Sequence, residues 1–420
     1  MTRSSPVGQS RPDGAVLGEA AAGFDLFNLP AGYIEDPWPW FRALRDHDPV
    51  HRNSDGTVLL TRYDDVRAVW RDPTASVDKS EMFLRRFGEG PLYEHHTTGM
   101  LFRDPPDHDR LRALVSPIFS AAAMQRMSGL VADLVDTLLD RARQAGEFDV
   151  VADFAARIPI QVITRLVGLP PADGELLRSL GQRVLFPLNP DVTAERIRSG
   201  HAAVAEFTAY LAGHLRRVRT QGVHGEPANV LEALVASEAA SGKVSEAEIV
   251  HTCLLMLNGG HETTTNLISL GTLALMEHPA AAAELAGRHD ELARTGVEEI
   301  TRYVTPLQLQ GRRTTRPVEL PSGQTLPAGT EVVLCQASAN RDERRFAGPD
   351  GLDLRRKPNP HVSFGLGVHT CIGRPLARLE TLVAFPRIAQ LAQRLEMTDR
   401  PVFASNVRFR GLVSMPVRVN

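Results

Sequence analysis

Two short stretches of the chain carry residue types that a packed core does not require. The first is Leu257–Ile268, LNGGHETTTNLI, where two glycines, a carboxylate and three threonines interrupt a long apolar run. His261-Glu262 opens like the H-E-x-x-H of a zinc hydrolase. The fifth position is Thr265, so the second imidazole one helical turn on is missing. What remains is an acid, Glu262, beside a hydroxyl, Thr263, following the pair Gly259-Gly260. The second stretch is Phe364–Glu380, FGLGVHTCIGRPLARLE. Gly365-Leu366-Gly367 begins like a dinucleotide fingerprint, but Thr370 stands where the third glycine belongs and no clean strand leads in. C-x-x-C-H is absent as well, which excludes covalent c-type haem attachment at this point.

That leaves one cysteine, Cys371, just ahead of an amphipathic helix. A helix N-terminus offers partial positive charge and unpaired N–H donors, both of which favour a thiolate. Glycines at 365, 367 and 373 allow tight turns and let a flat group approach the backbone, and His369 and Arg374 add donors. A lone cysteine at a helix start is more often a buried structural thiol; the spacing around this one argues otherwise.

The pattern Phe364-Gly365-x-Gly367-x-His369-x-Cys371-x-Gly373 resembles the haem-binding loop of the cytochromes P-450, the haem-thiolate monooxygenases. The flanking NPHVSFG and RPLARLE are similar to soluble bacterial members. The resemblance implies a haem b (iron protoporphyrin IX) with the Cys371 thiolate as iron ligand, whose electron donation promotes O–O cleavage. Phe364, His369 and Gly373 are then cofactor-loop residues. Glu299-Ile300-Thr301-Arg302 gives an E-x-x-R, which alone is a common helix ion pair contributing only a few tenths of a kcal/mol, about 0.2–0.5, when exposed. It sits upstream of the cysteine as the family's pair does, and Arg356 matches its third partner; this triad implies a structural role. His108 and Arg112, one turn apart in DPPDHDRLR, could be a solvated basic face, yet the segment is similar to the family's propionate-binding helix. Arg312, seven residues before Glu319, matches a further propionate donor, with Arg313 leaving that register open by one.

Gly259 and Gly260 together should cost about 2 kcal/mol of helix stability relative to alanine. The resemblance implies a helix crossing the distal haem face, with Gly259 clearing room for O2. Thr263 would bond back to the carbonyl of 259 or 260, or hold a water, and Glu262 would relay protons. Thr264 and Thr265 read as packing residues. Asn258 stands where the family often has an apolar side chain, and either bonds substrate or joins a water network. By placement, the substrate pocket is expected to include Thr97, Thr98, Met100, Leu101, Phe186, Leu307 and Leu309. The implied reaction inserts one oxygen atom from O2 into a small-to-medium organic molecule, in natural-product tailoring or catabolism. Electrons would come from NAD(P)H through a ferredoxin reductase and a ferredoxin, since no cysteine cluster marks a fused iron–sulfur domain. Arg110, Arg374 and Arg378 are candidates for a docking patch, Arg378 reading equally as a solvated helix residue. A haem-thiolate sensor would keep Cys371 and need no acid–alcohol pair, and a peroxide-using enzyme is a third reading.

The elements that must position these residues are mostly helical. The 420 residues are 43% hydrophobic and 23% charged with a net charge of -3, so no bulk field draws the chain to nucleic acid or an anionic membrane. Three scattered cysteines suit a reducing cytosol, and no run is apolar enough for a signal peptide or a membrane span. A cytoplasmic monomer is expected, mainly α with minor β, with a disordered tail over 1–22 and one haem-binding domain over 23–420. Asp36-Pro37 opens a helix, a hairpin turns at Ser54-Asp55-Gly56, and Pro73 to Pro106 shows little periodicity and reads as a loop. Residues 107–282 are almost wholly helical in pattern, with breaks at Pro170-Pro171, 187–190 and TQGVHGEPAN. Short strands follow, then a last helix from about Gly373 to Arg394.

Overall fold

Apolar residues at three- and four-residue spacing produce long helices at Ala121–Ala145, Ala194–Gln221 and Glu246–Glu277 in the computed structural model, which describes residues 14–189, 192–242 and 244–420. The helix Glu246–Glu277 runs for 32 residues through the centre of the main core. A capping box starts it: the Ser245 hydroxyl accepts from the Glu248 amide at 3.2 Å and the Glu248 carboxylate accepts from the Ser245 amide at 2.9 Å. His278-Pro279 ends it, because the residue before a proline is pushed out of the helical region. No helix among the described residues is long and apolar enough to cross a membrane.

The long helix packs on Arg157–Val167, Gly174–Leu185 and the C-terminal helix Arg374–Ala392, and its glycines make that closeness possible. A Cβ at Gly260 would stand 2.6 Å from Ile163, and one at Gly271 would stand 2.5 Å from the Phe385 ring. Gly260 is therefore a packing residue that offsets its own helix cost. Gly260→Ala is expected to destabilise the fold by about 1–3 kcal/mol through overpacking against a stiff β-branched side chain. Gly259→Ala, which meets nothing within 4 Å, should gain up to about 1 kcal/mol of helix propensity instead. Denaturant unfolding of the two variants gives opposite signs if this packing is right.

A four-stranded mixed sheet flanks the helices in the order Val50–Arg52, Val58–Leu60, Glu331–Cys335, Leu309–Arg313. The first two strands are the expected hairpin, turned through Gly56 at φ +85°. Val58–Leu60 runs parallel to Glu331–Cys335, which pairs antiparallel with Leu309–Arg313 in a register that sets Arg312 opposite Val332 and Arg313 opposite Glu331. Successive strand residues face opposite sides. Arg312 is accordingly buried and Arg313 exposed.

Two expectations are corrected. Gly14–Ala22 is helical, with Ala21 buried against Phe24 and Phe41, where a disordered tail was expected; residues 1–13 of that tail lie outside the described residues, as does Pro190 in the break at 187–190. The stretch from Pro73 to Pro106 holds two helices, Ser80–Phe87 and Pro91–Thr98, and a 3-10 turn at Met100–Phe102. Each helix is only 8 residues long, too short to display a period, and positive φ angles at Gly88 and Gly90 divide them.

Glu299, Arg302 and Arg356 meet in the interior. Glu299 accepts from Arg302 Nε at 2.8 Å and Nη2 at 2.7 Å, from Arg356 Nε at 3.0 Å and from Asn359 Nδ2 at 3.1 Å. Arg302 Nη1 donates to the carbonyls of Asn340 and Pro349 at 2.8 Å. Asn340 in turn accepts from the Val362 amide and donates to the Ser363 hydroxyl, both at 2.8 Å. The network fastens the segment that leads directly into Phe364.

Candidate active site

The loop from Phe364 to Gly373 is held by main-chain bonds and by glycine geometry. The Cys371 amide donates to the Phe364 carbonyl at 2.9 Å, and the Thr370 amide to the Gly367 carbonyl at 3.0 Å. Gly367 has φ +75°, and a Cβ there would lie 2.8 Å from the Trp70 carbonyl oxygen, so only glycine fits. Helix Arg374–Ala392 starts next, aiming the amides of Gly373 and Arg374 at the thiol. Burial raises the Cys371 thiol, while those amides and the Arg112 and Arg374 guanidiniums favour the thiolate. Cys371 lies deep in the fold, and the surface it retains opens onto an internal cavity. Cys253 and Cys335 are core thiols pushed up to about 12 by burial.

The cavity has a volume of about 290 Å³ and brings together Cys371, Phe364, Gly373, His108, Arg112, Arg312, His369, Gly259 and Thr263. Four basic side chains surround the thiol. The His108 and His369 rings lie 4.1 Å apart, and His369 Nε2 has no partner. Burial, with His108, Arg312 and Arg112 nearby, pushes His369 down to about 3. Arg312 is lowered to about 10 by burial; Asp104 opposes this, but its oxygens already accept from the Ser76 hydroxyl and the Val77 amide. Two desolvated guanidiniums, Arg112 and Arg312, with the two imidazoles as further hydrogen-bonding groups, suit a dianionic ligand arriving from the cavity. A cysteine thiol, a rim of anion donors and an open patch at Gly259 fit a haem with its two propionates.

The opposite wall is the long helix. The Thr263 hydroxyl donates to the Gly259 carbonyl at 3.0 Å, the back-bonding option of the sequence reading. Glu262, one residue earlier, faces away from the cavity into a small space against Gly174–Leu185, beside Arg178, Gln182 and His261. Burial raises its carboxyl above the usual range, opposed by side-chain bonds to Asn266 and Gln182. Asn258 borders both spaces, and neither its Oδ1 nor its Nδ2 has a protein partner. Gly181 makes room for it, since a Cβ there would stand 2.5 Å from Asn258 Oδ1.

A model of the Cytochrome P450 family matches residues 181–398. The Vitamin D(3) 25-hydroxylase of Pseudonocardia autotrophica is 36% identical over 401 residues, covering 94% of this chain and 96% of that protein. The chain belongs to the cytochrome P450 family. The Cyclomarin C epoxidase CymV of Salinispora arenicola is 38% identical over 371 residues, 86% of this P450 and 90% of the epoxidase. The crystal structure of CalO2 superposes with a TM-score of 0.86 at 35% identity, covering 94% of this chain and 98% of that one. This P450 is thus a monooxygenase that uses haem and O2, with the mainly α, minor β fold of its family.

The substrate side of the P450 cavity differs in part from expectation. Met100, Leu101, Asn258 and Leu307 line it; Thr97, Thr98, Phe186 and Leu309 do not. Thr97 and Thr98 end the helix Pro91–Thr98, where the Thr97 hydroxyl donates to the Tyr93 carbonyl at 2.9 Å. Phe186 is exposed beneath Arg196, and Leu309 is buried on the other side of its strand with Cys335. In their place stand His95 and His96, the opposite face of that short helix, and Arg408 and Phe409 from the loop after Val402–Phe403. The doublet His95-His96 was the available signal, but a segment read as loop has no face to assign. Of the expected docking patch, Arg374 is exposed, while Arg378 and Arg110 are half-buried and ion-paired, Arg378 donating to Glu298, with Nε at 2.7 Å, and Arg110 to Glu248.

Proposed function

We propose that this P450 oxidises an organic substrate in the cavity between Cys371 and Thr263, with both residues serving the reaction. The observation that carries the reading is the shared cavity itself: a thiol in a ring of basic side chains facing a hydroxyl and a bare glycine. Cys371 would hold the haem iron, beside Phe364 and Gly373, and His108, Arg112, Arg312 and His369 would hold the propionates. Bound there, the haem supplies reductive activation of O2. Thr263 spends its proton on the Gly259 carbonyl, which leaves its oxygen lone pairs free to orient a water. Burial raises the Glu262 carboxyl above the usual range, which favours its holding a proton, and Asn258, open to both spaces, offers the polar step from Glu262 to the cavity. Residues 14–420, including the helix Gly14–Ala22 that packs against Phe24 and Phe41, would act as one haem-binding domain in the cytoplasm, a setting supported by three free thiols. Electrons would arrive from NAD(P)H through a ferredoxin reductase and a ferredoxin, docking beside Arg374. The activities of the relatives, a hydroxylase of vitamin D(3) and an epoxidase of cyclomarin C, support natural-product tailoring.

Thr263→Ala tests the reading. The variant should consume NAD(P)H at a rate near wild type, while product formed per O2 falls by roughly tenfold and peroxide rises, the loss expected of one proton-managing group. Product yield, peroxide and O2 uptake are measured together. Unchanged coupling removes the role given to that hydroxyl.

A further inference from the structure

A second cluster of basic groups faces the cavity and takes no part in the roles above. Helix Pro91–Thr98 presents His95 and His96, and the loop after Val402–Phe403 presents Arg408. His95 and His96 are each 4% exposed, and His95 Nδ1 and His96 Nε2 have no hydrogen-bond partner. His251 of the long helix packs on His95 with ring centroids 5.5 Å apart. Arg408 Nε is likewise unpartnered. Its main chain is fixed, the amide donating to Asn406 Oδ1 at 3.0 Å and the carbonyl accepting from the Gln308 amide at 2.8 Å. Among the described residues no carboxylate offsets the guanidinium: burial and Arg86 both lower it, to about 10.

A desolvated guanidinium without a counter-ion is costly, so its partner should come from the cavity it faces. On the Cys371 side, His108, Arg112 and Arg312 act on His369, and Arg112 acts on Cys371. Arg408 also feels Arg312, but its remaining influence falls on Lys79 and His96, on the side of Arg86 and helix Pro91–Thr98. The neighbouring wall is apolar, with Leu101, Phe102, Leu255, Leu307 and Phe409. Burial, with Arg408 nearby, lowers His96 to about 3, so its ring is neutral and the charged partner for an arriving anion is Arg408. We infer that the substrate is an amphiphilic carboxylate, its anionic group paired with the Arg408 guanidinium and its apolar body lying along Leu101, Leu255 and Phe409. This rests on the cavity being the monooxygenase site.

The test uses the haem-loaded protein, first confirmed by the red-shifted Soret band of its reduced carbon monoxide complex. Dodecanoate, 4-phenylbutanoate and their methyl esters are titrated in, followed by the Soret shift and by calorimetry. Each acid is expected to bind at least roughly tenfold more tightly than its ester, the size of a charge-assisted hydrogen bond. Arg408→Gln should abolish that preference at full haem content, and Arg408→Lys should restore most of it. Esters that match their acids, acids that do not bind, or an Arg408→Gln preference equal to wild type would each overturn the assignment. Loss of haem from Arg408→Gln would do so as well, by making a propionate the anion it serves. An absent carbon monoxide band in folded, haem-loaded protein would instead defeat the underlying reading of the site.

Discussion

Cys371→Ser protein, reduced and exposed to carbon monoxide, is expected to lack the red-shifted Soret band of the wild type, and its monooxygenase activity should fall to background. Cys371 is the one cysteine among the described residues that reaches the cavity; Cys253 and Cys335 are held in the core with thiols near 12 and offer no substitute. The amides of Gly373 and Arg374 favour a thiolate at 371, but a serine hydroxyl is too weak an acid to ionise there near neutral pH. The substitution changes one atom and keeps the Cys371 amide bond to the Phe364 carbonyl, which is main chain. Circular dichroism and haem content should therefore stay close to wild type, separating ligation from folding. A wild-type band in the variant would remove Cys371 as the ligand.

Glu299→Gln is expected to cost about 3–5 kcal/mol of stability, because it breaks a buried ion pair from one side. Glu299 and Arg302 have side chains 0% exposed, and the carboxylate also accepts from Arg356, Asn359 and the Asp353 amide at 3.0 Å. A neutral amide cannot balance two guanidiniums, and its NH2 points a donor at donors. That loss is a large share of the 5–15 kcal/mol, roughly, that a folded domain has in total. Since the same network carries Asn340 and, through it, Val362 and Ser363, haem retention should weaken in parallel. Chemical denaturation and haem content read the two effects. A variant as stable as wild type would show that the charges are replaceable, as buried pairs sometimes are when apolar groups fill their place.

The two stretches that stand out in the sequence, Leu257–Ile268 and Phe364–Glu380, are those in which backbone geometry restricts residue type. Gly367 must be glycine because its carbonyl neighbour and its positive φ exclude a Cβ, and Ser245 with Glu248 must cap the helix that carries Thr263. Constraints of this kind act over a few residues, so they can be read along the chain. The long helices, the hairpin, the cysteine loop and the candidate haem ligand were legible for that reason.

Which face a side chain takes was not legible. Glu262 and Thr263 are adjacent, yet about 100° of helix rotation sends one toward Arg178 and the other into the cavity. Arg312 and Arg313 are told apart only by the strand pairing that turns one inward. His95 and His96 displace Thr97 and Thr98 as lining residues because packing against Phe83 and His251 sets the orientation of their helix. Arg408 reaches the same wall from more than 300 residues away in sequence. By itself the sequence determined the chemistry at hand, a cysteine loop, an acid–alcohol pair and a set of anion donors, because those depend on local spacing. The tertiary structure alone decided which of these groups share a cavity and what else lines it, because side-chain direction depends on contacts between elements that are distant along the chain.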